Sequence, residues 1–141
     1  MTGRKKLIAA FALTLALAAP AAAQSSGETA SQDVIARQLE AFLAGDFGRA
    51  YSYASPDIVG IYPTLERFMS MVNNGYLPVL RPGNYAFGKS ERLQDGRIQW
   101  DVLIDGPDGA GYTATYYMEQ QPDGSWKVDA VMLRRGAPGM T

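Results

Sequence analysis

The stretch RIQWDVLIDGPDGAGYTATYYMEQQPDGSWKVDAVMLRR, Arg97 to Arg135, decides the fold. It holds three runs rich in aromatic and β-branched residues, Arg97 to Asp105, Gly111 to Gln120 and Trp126 to Arg134. Gly106-Pro107-Asp108-Gly109 and Pro122-Asp123-Gly124 separate them. A fourth run, Asn84 to Leu93, precedes them across Asp95-Gly96. Connections this short and this rich in turn residues join antiparallel neighbours, so the pattern predicts a four-stranded antiparallel meander.

Turn chemistry also sets a register. Pro122, Asp123 and Gly124 suit a type I turn closed by a left-handed glycine, which makes Gln121 and Ser125 opposite neighbours. Met118 then faces Val128, and Tyr116 faces Ala130. With Ile104 opposite Tyr112, one face of the sheet carries Ile98, Trp100, Val102, Tyr112, Ala114, Tyr116, Met118, Trp126, Val128, Ala130 and Met132. The other carries Gln99, Asp101, Thr113, Thr115, Lys127 and Asp129, with Leu103, Tyr117, Val131 and Leu133 among them. A slip of one residue exchanges the two faces.

Upstream the period changes from two to 3.6. Ile35, Leu39, Phe42 and Leu43 form an apolar stripe from Ser31 to Gly45, with Arg37, Gln38 and Glu40 facing elsewhere. Asp46 is placed to cap a second helix with Phe47, Ala50, Tyr51 and Ala54, which Ser55-Pro56 ends. Asp57 to Pro63 reads as a bridge. Thr64 caps a third helix with Leu65, Phe68, Met69 and Val72, stopped by Asn73-Asn74-Gly75. Tyr76 to Pro82, with two prolines, reads as extended and irregular. Helices followed by such a sheet give an α+β class, N-terminal helices packed on the meander. The plan is that of the cystatin-like, nuclear transport factor 2-like cones, whose interior hosts enzymes, binding modules and adaptors alike.

The chain opens with Arg4, Lys5 and Lys6, an apolar run from Leu7 to Ala19, Pro20, and Ala21-Ala22-Ala23 before Gln24. This is the build of an export signal, with cleavage expected after Ala23 and a periplasmic or secreted product that keeps no stable membrane anchor. The expected organisation is a signal peptide over 1–23, a flexible leader over 24–31, one domain over 32–135 and a flexible tail over 136–141. Of 141 residues none is cysteine and none is histidine. Disulfides, thiol chemistry, the commonest general base and the most frequent zinc ligand are thereby removed. No cofactor and no metal is expected, since no ligand cluster has a recognisable spacing. Basic residues are scattered and Arg134-Arg135 is the one adjacent pair downstream of the signal, so nucleic acid is not an expected partner.

Candidate sites follow from the two sheet faces. Tyr76, Arg81, Trp100 and Tyr116 are placed to line the mouth of a cone and bind a small ligand; the plainer reading pairs Trp100 with Tyr116 across strands as core. Asp101 and Asp129, flanking Tyr117 on the outer face, make an acid–base pair in principle, but exposed carboxylates are poor general bases. Leu103, Tyr117, Val131 and Leu133 form an apolar patch on that outer face, read either as a homodimer interface or as a seat for the tail from Gly136 to Thr141. Gly106 to Gly111 opens no helix and is a hairpin loop, not a phosphate cradle. The expected role is a non-catalytic binding module for a small apolar molecule or a protein partner. The alternatives are an isomerase- or lyase-type enzyme using carboxylate and tyrosine, and a structural subunit.

One resemblance spans nearly the whole chain after the signal. The motifs QLEAF (Gln38 to Phe42), AYSYASPDI (Ala50 to Ile58), ERFMSMV (Glu66 to Val72), GYLPVLRP (Gly75 to Pro82), YYMEQQPDGSWKV (Tyr116 to Val128) and VMLRR (Val131 to Arg135) resemble the bacterial exported domain of unknown function 4864 family. Asp129-Ala130 stand where that family's pattern has a glycine. The resemblance implies export and a single domain, and it implies no functional residues.

Overall fold

The computed structural model describes residues 19–137. In chain order it contains α1 (Ala19–Leu43), α2 (Phe47–Ser52), α3 (Pro56–Ile61), α4 (Leu65–Gly75), α5 (Leu77–Leu80), β1 (Tyr85–Arg92), β2 (Ile98–Asp105), β3 (Gly111–Gln120) and β4 (Trp126–Arg135). The basic start and most of the apolar run of the expected export signal, with the last four residues of the tail, lie outside the described residues. Among the described residues no helix is long and apolar enough to cross a membrane.

Side-chain caps set the helix starts where the sequence places them. The Asp46 carboxylate accepts from Arg49 N at 3.3 Å, and Thr64 Oγ1 accepts from Arg67 N at 3.2 Å. Two expectations are corrected. The bridge Asp57 to Pro63 contains most of α3, and the irregular Tyr76 to Pro82 contains α5. Both helices carry a proline in their first turn, Pro56 and Pro78, where the missing N–H has no intrahelical role. A third correction concerns Gln24 to Ala30, expected as a flexible leader, which continues α1. Gly27 is buried there because it comes close to the sheet: a Cβ on it would lie 3.2 Å from Trp126 Cζ2 and 2.8 Å from Arg92 Nη2.

The sheet has the order β1-β2-β3-β4, antiparallel throughout. Ile104 pairs with Tyr112 and Met118 with Val128, as turn chemistry requires. Tyr116 pairs with Val131, not Ala130, because β4 carries a bulge that leaves Asp129 without a partner. One extra residue reverses parity along the rest of β4. Val131 and Leu133, expected on the outer face, pack against the core, whereas Met132 is 63% exposed.

The inner face holds Ile98, Trp100, Val102, Ala114, Tyr116, Met118, Trp126 and Val128, all buried against Ile35, Leu39, Phe42, Ala50, Phe68, Val72, Val79 and Leu80. Both tryptophans therefore face the helices. Trp100 Nε1 donates to Ser31 Oγ at 3.0 Å, and Ser31 Oγ donates to Glu28 O at 3.0 Å, which gives every polar atom in this chain of contacts a partner beneath α1. The segment after α2 runs parallel to β4: Val128 N donates to Tyr53 O at 2.8 Å and Ser55 N to Val128 O at 2.9 Å. Helical layer and sheet are thus joined by main-chain bonds as well as by side chains.

Candidate functional site

Helices of different length do not cover the sheet evenly. Between α1, α3, α4, α5 and the middle of β4 lies a cavity of about 200 Å³. Its walls are Phe42, Ile58, Phe68, Met71, Val72, Val79, Val128, Ala130 and Val131, with Gln38, Tyr62 and Tyr76 as polar members and Ile61 at 64% exposure on the solvent side. The bulge builds the sheet wall, since it is what turns Val131 inward. Pro56 and the Ser55 cap build the opposite wall by starting α3, whose Ile58 and Ile61 complete the enclosure.

The polar groups around the cavity are largely committed to the protein. Tyr76 Oη donates to Val131 O at 2.9 Å, and burial, then the nearby Tyr62, pushes the Tyr76 hydroxyl above its ordinary pKa, so it stays a neutral donor. Tyr51 Oη donates to Tyr62 O. Gln38 Nε2 donates to Ala50 O at 3.2 Å. Among the described residues no Asp, Glu, Lys or Arg lines it. The arrangement can hold an uncharged apolar body, and it places no acid or base against one.

Of the four residues placed at a ligand site by sequence, Tyr76 alone lines this cavity. Arg81 is exposed and edges a separate surface depression with Leu43, Phe47 and Pro82. Trp100 and Tyr116 pair across β2 and β3 and are buried, so they stand where the plainer reading put them, in the interior. Tyr116 Oη is fully enclosed without a hydrogen-bond partner, and its pKa is raised strongly, first by burial and then by Tyr85. Gln38, read as facing away from the helical stripe, is only 3% exposed. Its position is legible in retrospect: it stands three residues after Ile35 and four before Phe42, on the same helical face.

On the outer face Leu103 and Tyr117 are half-buried. Arg97 lies over the Tyr117 ring at 5.2 Å, and Tyr117 Oη approaches Met132 Sδ at 3.8 Å. Leu133 and Val131 have left this patch for the reason given above. Gly136 is held by Gly111 O and by the Thr113 hydroxyl, so the tail is anchored at its first residue. The supposed acid–base pair is corrected. Asp101 is 3% exposed and accepts from Thr115 Oγ1 at 3.0 Å, tucked beside Gly88, where a Cβ would come within 3.4 Å of it. Asp129 bonds Ser55 Oγ at 2.8 Å and pairs with Arg97 at 3.3 Å. Asp129 also joins Asp57 and Glu119 in a group of carboxylates within 4.8 Å of one another, a cluster that residues 62 and 10 positions apart do not announce. Ser55, Arg97 and Gln121 already bond two of its three members.

A helical layer on one face of a four-stranded antiparallel meander, enclosing an uncharged apolar cavity, defines a small α+β domain. The match of a family model, "Domain of unknown function (DUF4864)", over residues 24–140 assigns it more narrowly: the chain belongs to the domain of unknown function 4864 family. No curated protein and no solved structure matches the chain.

Proposed function

We propose that this chain is an exported binding domain of cystatin-like, cone-shaped form that holds a small apolar molecule between its helices and its sheet without acting on it chemically. The observation that carries this reading is the cavity of about 200 Å³ walled by apolar side chains and Tyr76. An engineered closed apolar void of roughly 150 Å³ takes up benzene, and this pocket, open to solvent on the Ile61 side, offers a similar volume, which suits a ligand of about that size or somewhat larger. The absence of Asp, Glu, Lys and Arg from its lining favours binding over the carboxylate-and-tyrosine chemistry of an isomerase or lyase. Export rests on the basic start, apolar run and Ala21-Ala22-Ala23 of the sequence, and the periplasm is the compartment proposed.

Titration of toluene into the purified chain, followed by ligand-observed NMR and calorimetry, tests the reading. Toluene is expected to bind, and Met71→Trp, which places an indole in the half-buried wall, is expected to abolish binding while the thermal transition stays cooperative. Equal uptake by Met71→Trp, or no uptake by either protein, overturns the assignment of this cavity.

A further inference from the structure

We propose that the cavity selects a neutral molecule carrying a hydroxyl or other hydrogen-bond donor, and that the Gln38 carboxamide oxygen is the group that reads it; the inference rests on the binding role proposed above. Gln38 lines the cavity and is 3% exposed, an amide on a helix face otherwise packed through Ile35, Leu39 and Phe42. Its nitrogen is fixed by chemistry, because the Ala50 carbonyl 3.2 Å away can only accept. That bond turns the other end of the amide away from Ala50. No hydrogen bond to the Gln38 oxygen is seen among the described residues, and two neighbouring donors are spent, Tyr76 Oη on Val131 O and Tyr51 Oη on Tyr62 O.

An acceptor held in an apolar enclosure discriminates sharply, since a donor on the ligand gains a bond there while an apolar isostere leaves the oxygen unsatisfied. Charge is selected against by the same walls. A carboxylate or ammonium entering a lining without Asp, Glu, Lys or Arg meets no counter-charge. The chemical class is therefore a compact phenol or alcohol with an apolar body, bound hydroxyl-first toward α1.

Toluene, p-cresol and p-toluate are close to one another in size and differ in the group at one end, so they separate the possibilities by calorimetry. The expected order is p-cresol about threefold to tenfold tighter than toluene, as one net hydrogen bond gives, with no binding of p-toluate. In Gln38→Leu the ratio of p-cresol to toluene affinity is expected to fall to about one, whatever happens to the toluene affinity itself. Toluene binding as tightly as p-cresol, or p-toluate binding at all, overturns the hydroxyl assignment and leaves the apolar cavity standing; failure of all three to bind overturns both. The three-ligand comparison on the unmodified protein decides the matter even where Gln38→Leu does not fold.

Discussion

Replacing Tyr116 with phenylalanine should make this protein more stable. The ring is fully buried and its hydroxyl has no hydrogen-bond partner among the described residues. A hydroxyl enclosed without a partner costs about 1–3 kcal/mol relative to water, and phenylalanine keeps the ring in place while removing that cost. Allowing for the small gap left by the lost oxygen, Tyr116→Phe should gain about 1–2 kcal/mol, or about 4 °C in Tm for each kcal/mol in a domain of this size. The pH dependence gives a second arm. Burial, then Tyr85, raises the Tyr116 pKa in the folded chain. Below pH 10 the residue is neutral in both states and its contribution does not vary. Above about pH 10 the unfolded chain releases this proton while the folded chain keeps it, so native stability falls by up to about 1.4 kcal/mol per pH unit until the folded pKa is reached. Urea titrations of both proteins at pH 7 and pH 10.5 should show the variant ahead at pH 7 and further ahead at pH 10.5. A variant less stable than the parent at pH 7 would refute the argument, since it would mean that the hydroxyl makes a net favourable bond.

Three other expectations concern packing and the bulge. Leu133→Asp should lose about 2–4 kcal/mol in urea melts, because the side chain packs toward the core; an unchanged midpoint would return Leu133 to the outer face. Deleting Asp129 removes the extra residue of β4 and should either expose Val131 and Leu133 or slide the strand, so the cooperative transition is expected to broaden or disappear, as near-ultraviolet circular dichroism would report. Ser31→Ala strips the Trp100 indole of its acceptor and should cost about 1–3 kcal/mol, with a shift in tryptophan emission; no change in either would show that the indole finds another partner.

Sequence periodicity located the sheet well because Pro122-Asp123-Gly124 and the Pro107 loop each admit few turn geometries, and these fixed Met118 against Val128 and Ile104 against Tyr112. It misplaced Val131 and Leu133 because a bulge is a local event with little effect on composition: alternation before and after Asp129 looks unbroken in one dimension. Proline misled in the opposite way. Pro56 and Pro78 read as breakers in sequence, whereas each sits in the first turn of a helix, and α3 supplies one wall of the cavity. Tyr76 is legible as a cavity residue; Gln38 carries only its helical spacing from Ile35 and Phe42 as a signal, and its polar letter reads as solvent-facing until Ala50 is known to accept from it. The carboxylate group of Asp57, Glu119 and Asp129 depends on the same bulge and helix start, and no local pattern marks it.

The pairing of Tyr53 to Ser55 with β4 has a consequence for how copies of this chain behave in crowded solution. It occupies the first part of one lateral margin of the sheet, beside Val128, where a foreign strand would otherwise dock. At the opposite margin, β1 is interrupted between Phe87 and Ser90, leaving three paired residues on either side, Tyr85 to Phe87 and Ser90 to Arg92. Fibrillar stacking recruits straight segments of about six or seven residues; the β1 margin presents none, and on β4 the bulge at Asp129 confines the straight run to Ala130 to Arg135. In a protein without disulfides to lock it, these interruptions narrow the routes to cross-β polymerisation by geometry alone.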